Sequence, residues 1–524
     1  MAKIPFTIDS IWGGMGQSDN FFDKGQYLAS VGIDPDMPKN DNSKKPCGFI
    51  RPTAMEKFSG TDLTGIPLWI VTSPKGEVAY VYTSNGRVHV VTSSEAMGTA
   101  LNSGNALSSS SGNGAEYYDN KILFAKNTDI ASYGPLDGSP ALDEDYWTSA
   151  LGKTALSNKT YPSINGVQMP NHAMLRSVDS AQLFICDVVD NKGALHVIET
   201  LKTTVEGDTD DGSAYNVVQF EYGYWPTCLA QRNNEIIVGL IEGSSTAVRQ
   251  KPFALSIWSP TETAFTTLAQ HEFPDPIVSA IVNANGNIYV FSGFASGGCR
   301  ISLLLSNYTL QEVAFYEDIY PPLAGAAEHI LSRVLFGSAI TLGGVNYGVA
   351  FALGSKKRLF SGQGIHGVLK STAGSTSPMV TCLKYFKQDA NFLLRPIIGW
   401  KNNTDYGLDK LSTTYGTSIF YSKKFILGGP FSIEPFFVPL QQAIGANMSI
   451  EIIAHYDDDE SLNTSLITIN NTTHPGVKNI RVDSAEKMHG MQSVFFEFKI
   501  TGTALSVIGL PVSGVFNMKN KETE

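Results

Sequence analysis

The chain has 524 residues, 42% of them hydrophobic and only 17% charged, with 49 Gly, 25 Pro and 10% aromatics. A charged fraction below the roughly 25% usual for soluble domains, beside so much Gly, Pro and aromatic content, excludes disordered and coiled-coil chains and leaves residues for a large core. The formal net charge of −11 argues against the basic footprint of a protein that grips nucleic-acid phosphates.

Residues 1–65 hold few regular strands and many breakers: Gly13-Gly14, Asp34-Pro35, Met37-Pro38, Lys45-Pro46 and Arg51-Pro52. They read as an extended arm that packs along its own chain or reaches a neighbouring subunit. The opening MAKIPFTIDSIWGG has no apolar stretch long enough for a signal peptide. Cys47, Cys186, Cys228, Cys299 and Cys382 are widely spaced, odd in number and without a C-x-x-C. They fit a reducing compartment better than a disulfide framework or a zinc site.

From residue 66 to 428 a unit recurs, a short apolar strand, a polar turn and a second strand. Its centres are Tyr80, Leu123, Phe184, Ile237, Tyr289, Val349 and Leu393, at steps of 43 to 61 residues. A repeat of about 50 residues is the size of one four-stranded β-propeller blade, and a closed ring of blades leaves only short, protected strand edges. The expected architecture is therefore all-β, with a propeller of about seven blades. The turns Asn85-Gly86, Asn191-Lys192-Gly193 and Asn285-Gly286 supply the positive φ that hairpins need. No W-D dipeptide, kelch signature or Asp box marks the blades, and the competing reading is a run of unrelated antiparallel sheets. The uncharged stretch from Val334 to Gly354 is long enough for a membrane helix. Gly343-Gly344 at its middle and the β-branched and aromatic flanks instead predict two buried strands, so no membrane-spanning segment is expected.

After Gly428-Gly429-Pro430 the pattern becomes period-two alternation. Met448, Ile450, Ile452 and Tyr456 would share one face, with Ser449, Glu451 and His455 on the other, and Phe496, Phe498 and Ile500 alternate with Glu497 and Lys499. With a short helical stretch near Pro439 to Ala446, residues 429–524 read as a compact β-sandwich domain.

Chemistry is sparse. Asp208-Thr-Asp210-Asp211-Gly212 resembles a calcium loop, but its third ligand and glycine are out of step and Gln219 stands at the twelfth position. Asp457-Asp458-Asp459-Glu460 reads as a hairpin tip whose mutually repelling carboxylates stay in water or gather round a cation. No nucleophile elbow, P-loop, H-E-x-x-H or dinucleotide-binding glycine pattern occurs, and no two histidines stand at metal-ligand spacing. No catalytic, cofactor-binding or metal-binding residue and no cofactor is therefore assigned, and no enzymatic activity is expected. A glycosidase carboxylate pair could still come from distant blades. Lys39 to Lys45 and Lys356-Lys357-Arg358, the densest basic spots, read as solvated loops. Trp225, Trp258 and Trp400 are the residues a glycan-binding propeller would present, unless they pack inside blades.

Two regions resemble structural proteins of tailed bacteriophages. Trp12-Gly13-Gly14-Met15-Gly16-Gln17-Ser18 followed by Gly48-Phe49-Ile50-Arg51-Pro52 is similar to the start of propeller-bearing tail proteins. Phe431-Ser432-Ile433, Ala446-Asn447, Tyr456-Asp457-Asp458 and Gly502-Thr503-Ala504-Leu505-Ser506-Val507 resemble the final β-domain of virion proteins. Likeness to the tail nozzle of short-tailed phages implies a ring-shaped homo-oligomer, a hexamer in that family, beneath portal and adaptor proteins. It would be assembled in the host cytoplasm, carry no catalytic residues and conduct DNA without binding it. A receptor- or glycan-binding propeller and a propeller glycoside hydrolase are the other functions compatible with the pattern.

Overall fold

The computed structural model describes residues 2–8, 14–15, 26–33, 49–50, 55–60, 62–92, 96–102, 107, 113–179, 182–199, 218–243, 253–258, 267–330, 333–342, 345–353, 377–388, 393–411, 416–457, 459–483, 489–503 and 507–518. Apart from one π-helical turn, Tyr146–Ala150, and one 3-10 turn, Ala324–Ala326, the regular elements among these residues are strands. The chain divides into two units, one of residues 57–340 and 375–410, the other of residues 1–56, 341–374 and 411–524, with the division running through the strand Arg333–Leu342.

The first unit is a β-propeller. Five blades are each built from four sequence-consecutive antiparallel strands. Their innermost strands are Pro67–Thr72, Gly114–Tyr118, Met174–Arg176, Tyr224–Arg232 and Ile277–Ala284. Two sheets of different construction continue the ring, with innermost strands Ala327–Ile330 and Pro378–Gln388, and Pro378–Gln388 lies beside Pro67–Thr72 of the first blade. The expected count of about seven thus resolves into five complete blades and two modified sheets. Six of the seven sequence centres lie in the second strand of their sheet. Val349 instead falls in the third strand, Val345–Leu353, because Arg333–Leu342 before it is equally apolar.

Second strands are buried on both faces, which is why they read as continuous apolar runs. Leu123, Phe184, Ile237 and Tyr289 are each almost wholly buried, and burying such a side chain is worth roughly 1.5–3 kcal/mol. The core is a series of layers between neighbouring blades. Tyr82 and Phe124 pack between the first two blades, Leu123 and Leu183 between the second and third, and Cys228 and Val278 between the fourth and fifth. Asn285 (φ 55°) and Gly286 (φ 88°) close the hairpin of the fifth blade with the two positive φ values of a type I′ turn.

Closure needs a segment from the N-terminal side of the propeller. Phe58 N–H donates to the Leu408 carbonyl at 2.9 Å, along the outermost consecutive strand of the last sheet, Asp405–Leu411. Its ring is buried among Ile70 and Val81 of the first blade and Cys382 and Leu408 of the last sheet.

The second unit is a sandwich-like β structure around the long strand His489–Gly502, which pairs with Met448–Tyr456, Ser418–Tyr421 and Phe425–Ile433. Alternation holds from Met448 to Ala454 and then fails: His455 is buried and Tyr456 only half-buried, where the register with Asp459–Asn470 shifts. The expected helical stretch near Pro439 to Ala446 is absent. Pro439 ends a strand, Leu440 N–H donates to the Lys478 carbonyl and Gln441 N–H to the Val507 carbonyl, so these amides serve distant strands instead of a helix. Three segments of the N-terminal stretch, read from sequence as an extended arm packing along its own chain or reaching a neighbouring subunit, are strands of this unit. Ala2–Ile8 pairs along its whole length with Val512–Met518, Ala29–Val31 with Ser418–Tyr421, and Phe49–Ile50 with Ile508–Gly509. The uncharged stretch predicted as two strands is two strands, Arg333–Leu342 and Val345–Leu353, and among the described residues no helix is long and apolar enough to cross a membrane.

Candidate functional site

A propeller brings residues together at its axis, where the innermost strands converge. Near the beginnings of those strands the axis is filled. Between the second and third blades the chain makes a hairpin, Ser163–Ile164 with Val167–Gln168, turning at Asn165 (φ 47°) and Gly166 (φ 72°). Ile164, Val167 and Met169 are buried against Leu68, Ile277, Leu323 and Met379, which come from widely separated sheets. Polar bonds fix this plug at both ends. The Tyr161 hydroxyl donates to the Pro226 carbonyl at 2.9 Å, its ring stacks on Trp225 at 5.4 Å, and Asn165 Nδ2 donates to the Pro378 carbonyl at 3.2 Å. The 3-10 turn Ala324–Ala326 adds to the filling. A Cβ at Gly325 would lie 2.5 Å from the Leu68 carbonyl oxygen, so only glycine permits that approach.

Toward the ends of the same strands a cavity of about 200 Å³ remains, with Gly325 and Ala324 in its lining. Four ionisable side chains face it from four sheets: Glu116, Arg176, Glu328 and Lys384. Glu328 is the anchor, its Oε1 accepting from Lys384 Nζ at 2.7 Å and its Oε2 from Tyr385 N–H at 2.8 Å. Lys384 keeps about a third of its side-chain surface exposed, so the cavity reaches solvent. Glu116 Oε1 accepts from Tyr117 N–H at 2.9 Å, and the Arg176 guanidinium lies 5.2 Å from the centre of the Tyr117 ring. Burial pushes the Glu116 carboxyl above its ordinary value, against the pull of Lys384, the Tyr117 amide and Arg176. The charge of Glu328 beside Lys384 raises that ammonium, outweighing the opposing cost of burial. The set balances at two acids and two bases, and Trp69 and Tyr117 supply aromatic walls.

None of these four residues is legible as a motif, because each comes from a different sheet. The available signal was an acid in a short inner strand, as in GAEYY and AEHI. Of the tryptophans singled out from sequence, Trp225 packs in the plug and Trp400 is buried with Nε1 donating to Asp409 Oδ1 at 2.7 Å. Trp258 ends a strand of the fourth blade. Asp457 lies at the expected hairpin tip, its Oδ1 accepting from Gln492 N–H at 2.7 Å. Asp458 lies outside the described residues, as do Asp208 to Gly212, Lys39 to Lys45 and Lys356 to Arg358. Among the described residues no group of three or more His, Cys, Asp or Glu is placed to hold a metal ion.

No family model matches the chain, and no curated protein does. Among the solved structures similar to it are two that each cover 68% of the chain. One is the computationally designed Ika8 protein, at 13% identity, 99% of that chain and a TM-score of 0.36. The other is the WD40 domain of Neurospora crassa Pan2, at 11% identity, 95% of that chain and a TM-score of 0.42.

Proposed function

We propose that the chain is a structural component of a bacteriophage tail, nozzle- or hub-like, whose copies assemble into a ring beside portal and adaptor proteins. In this reading the propeller is a solid wall block, and the DNA path runs between copies. The observation that carries it is the filled axis. Ile164, Val167 and Leu323 pack across the centre of the propeller, so this fold has no bore of its own and is suited to bearing load. The acidic balance, −11, supports a conduit surface that repels the phosphate backbone. A nozzle-like ring needs no ligand for this role. Its work is mechanical and electrostatic.

Negative-stain microscopy and mass photometry of the purified chain, alone and with tail and portal proteins, test the proposal. A closed ring with a central opening between protomers is expected. A chain that stays monomeric alongside those partners overturns it, as does duplex DNA binding that weakens with salt in the manner of phosphate contacts.

A further inference from the structure

We propose that the axial cavity binds one neutral sugar ring, held by Glu116, Arg176, Glu328 and Lys384 against Trp69 and Tyr117. This goes beyond the tail reading and does not rest on it. Size sets the first limit. About 200 Å³ lies below the ~300–1,000 Å³ of pockets that hold drug-sized ligands, so the cavity itself suits one ring.

Charge sets the second limit. The four ionisable residues around the cavity sum to zero, and two of them already pair, Lys384 with Glu328 at 2.7 Å. A charged ligand brought into such a set would leave one charge uncompensated in a partly desolvated place, which is costly. A neutral ligand avoids that cost. It must then offer donors to the two carboxylates and acceptors to the guanidinium and the ammonium. Hydroxyl groups do both, and several hydroxyls on one rigid ring can satisfy groups arriving from four sheets at once. The aromatic walls suit the apolar C–H face of such a ring.

The test is saturation-transfer NMR on the full-length chain with D-glucose, D-galactose, D-mannose and N-acetylglucosamine at millimolar concentrations. Glycine, which carries one charge of each sign, and inorganic phosphate, an anion, serve as ionic comparators. At least one sugar is expected to give transfer while glycine and phosphate do not. Ala324→Trp, which fills the cavity and keeps all four charges, is expected to abolish the signal. Glu328→Gln is expected to weaken binding about tenfold, the loss typical of one hydrogen bond to a charged group. Thermal unfolding identifies any variant that fails to fold, and Arg176→Gln then serves as the replacement, with the same tenfold loss expected. No transfer from any sugar, transfer unchanged in folded Ala324→Trp, or preferential binding of glycine or phosphate overturns the proposal. The oligomer experiment above is independent of each of these outcomes.

Discussion

Asp187 is buried between the second and third blades and holds both oxygens in use. Oδ2 accepts from His196 Nε2 at 2.9 Å and Oδ1 from Ser157 N–H at 3.0 Å, while His172 Nδ1 stands 3.7 Å from Oδ1. His172 in turn faces the carbonyls of Cys186 and Asn127 at 3.0 and 3.1 Å. Burial alone would raise the Asp187 carboxyl, but the His196 hydrogen bond, the two imidazoles and the Ser157 amide prevail and hold it below the usual carboxylate range. A depressed folded pKa contributes stability that is present above the unfolded value of about 3.9 and is lost as pH falls through the folded value. Asp187→Asn is therefore expected to cost about 3–5 kcal/mol at pH 7, the price of breaking a buried pair. The deficit should shrink toward zero at the acid end of a urea-denaturation series; a pH-independent deficit would contradict this account. The cysteines make a second residue-scale prediction. Burial raises the Cys228 thiol to about 12 and pushes Cys186, Cys299 and Cys382 further, so almost no thiolate exists at neutral pH. Mass spectrometry after iodoacetamide treatment should find these four unmodified in the native chain and modified in urea.

The plug hairpin shows what local sequence can and cannot tell. Ile164-Asn165-Gly166-Val167 carries a strong short-range hairpin signal, and the hairpin is there. That it fills the axis follows from contacts with strands far away in sequence, which no local pattern encodes. The same contrast runs through the fold. Second strands of blades were legible because burial on both faces leaves an unbroken apolar run, whereas Val349 marked the wrong strand of its sheet because its neighbour is just as apolar. The N-terminal strands were illegible for the opposite reason. Phe49–Ile50 is two residues long and pairs with Ile508–Gly509, so neither periodicity nor a turn announces it. At this scale the prediction concerns Ile164, which has no measurable exposure. Ile164→Ala is expected to destabilise the propeller by about 2–5 kcal/mol through the cavity it leaves. Ile164→Asp should cost at least as much, because the carboxylate would have no partner there. Chemical denaturation followed by tryptophan fluorescence measures both, and a loss under about 0.5 kcal/mol, the range of surface changes, would mean that the axis is not packed as described.

For the whole molecule, the N-terminal residues are shared between the two units. Ala2–Ile8 and Ala29–Val31 complete the sandwich-like unit, and Phe58 closes the propeller. Deleting residues 1–60 is accordingly expected to destabilise both units, visible in calorimetry as two lowered transitions or one broad one; an unchanged propeller transition would show that the ring closes without Phe58. These pairings also impose an order in time. Phe58 finds its partner once the ribosome has released Leu408, but Ala2–Ile8, made before it, cannot pair until Val512–Met518 has been made. Synthesis at about 5–20 residues per second puts roughly 5–20 s between the two events, so the earlier of these two segments waits longer. During that interval the pairing groups of Ala2–Ile8 have no Val512–Met518 to meet, so release of that last strand is the event that completes the sandwich-like unit.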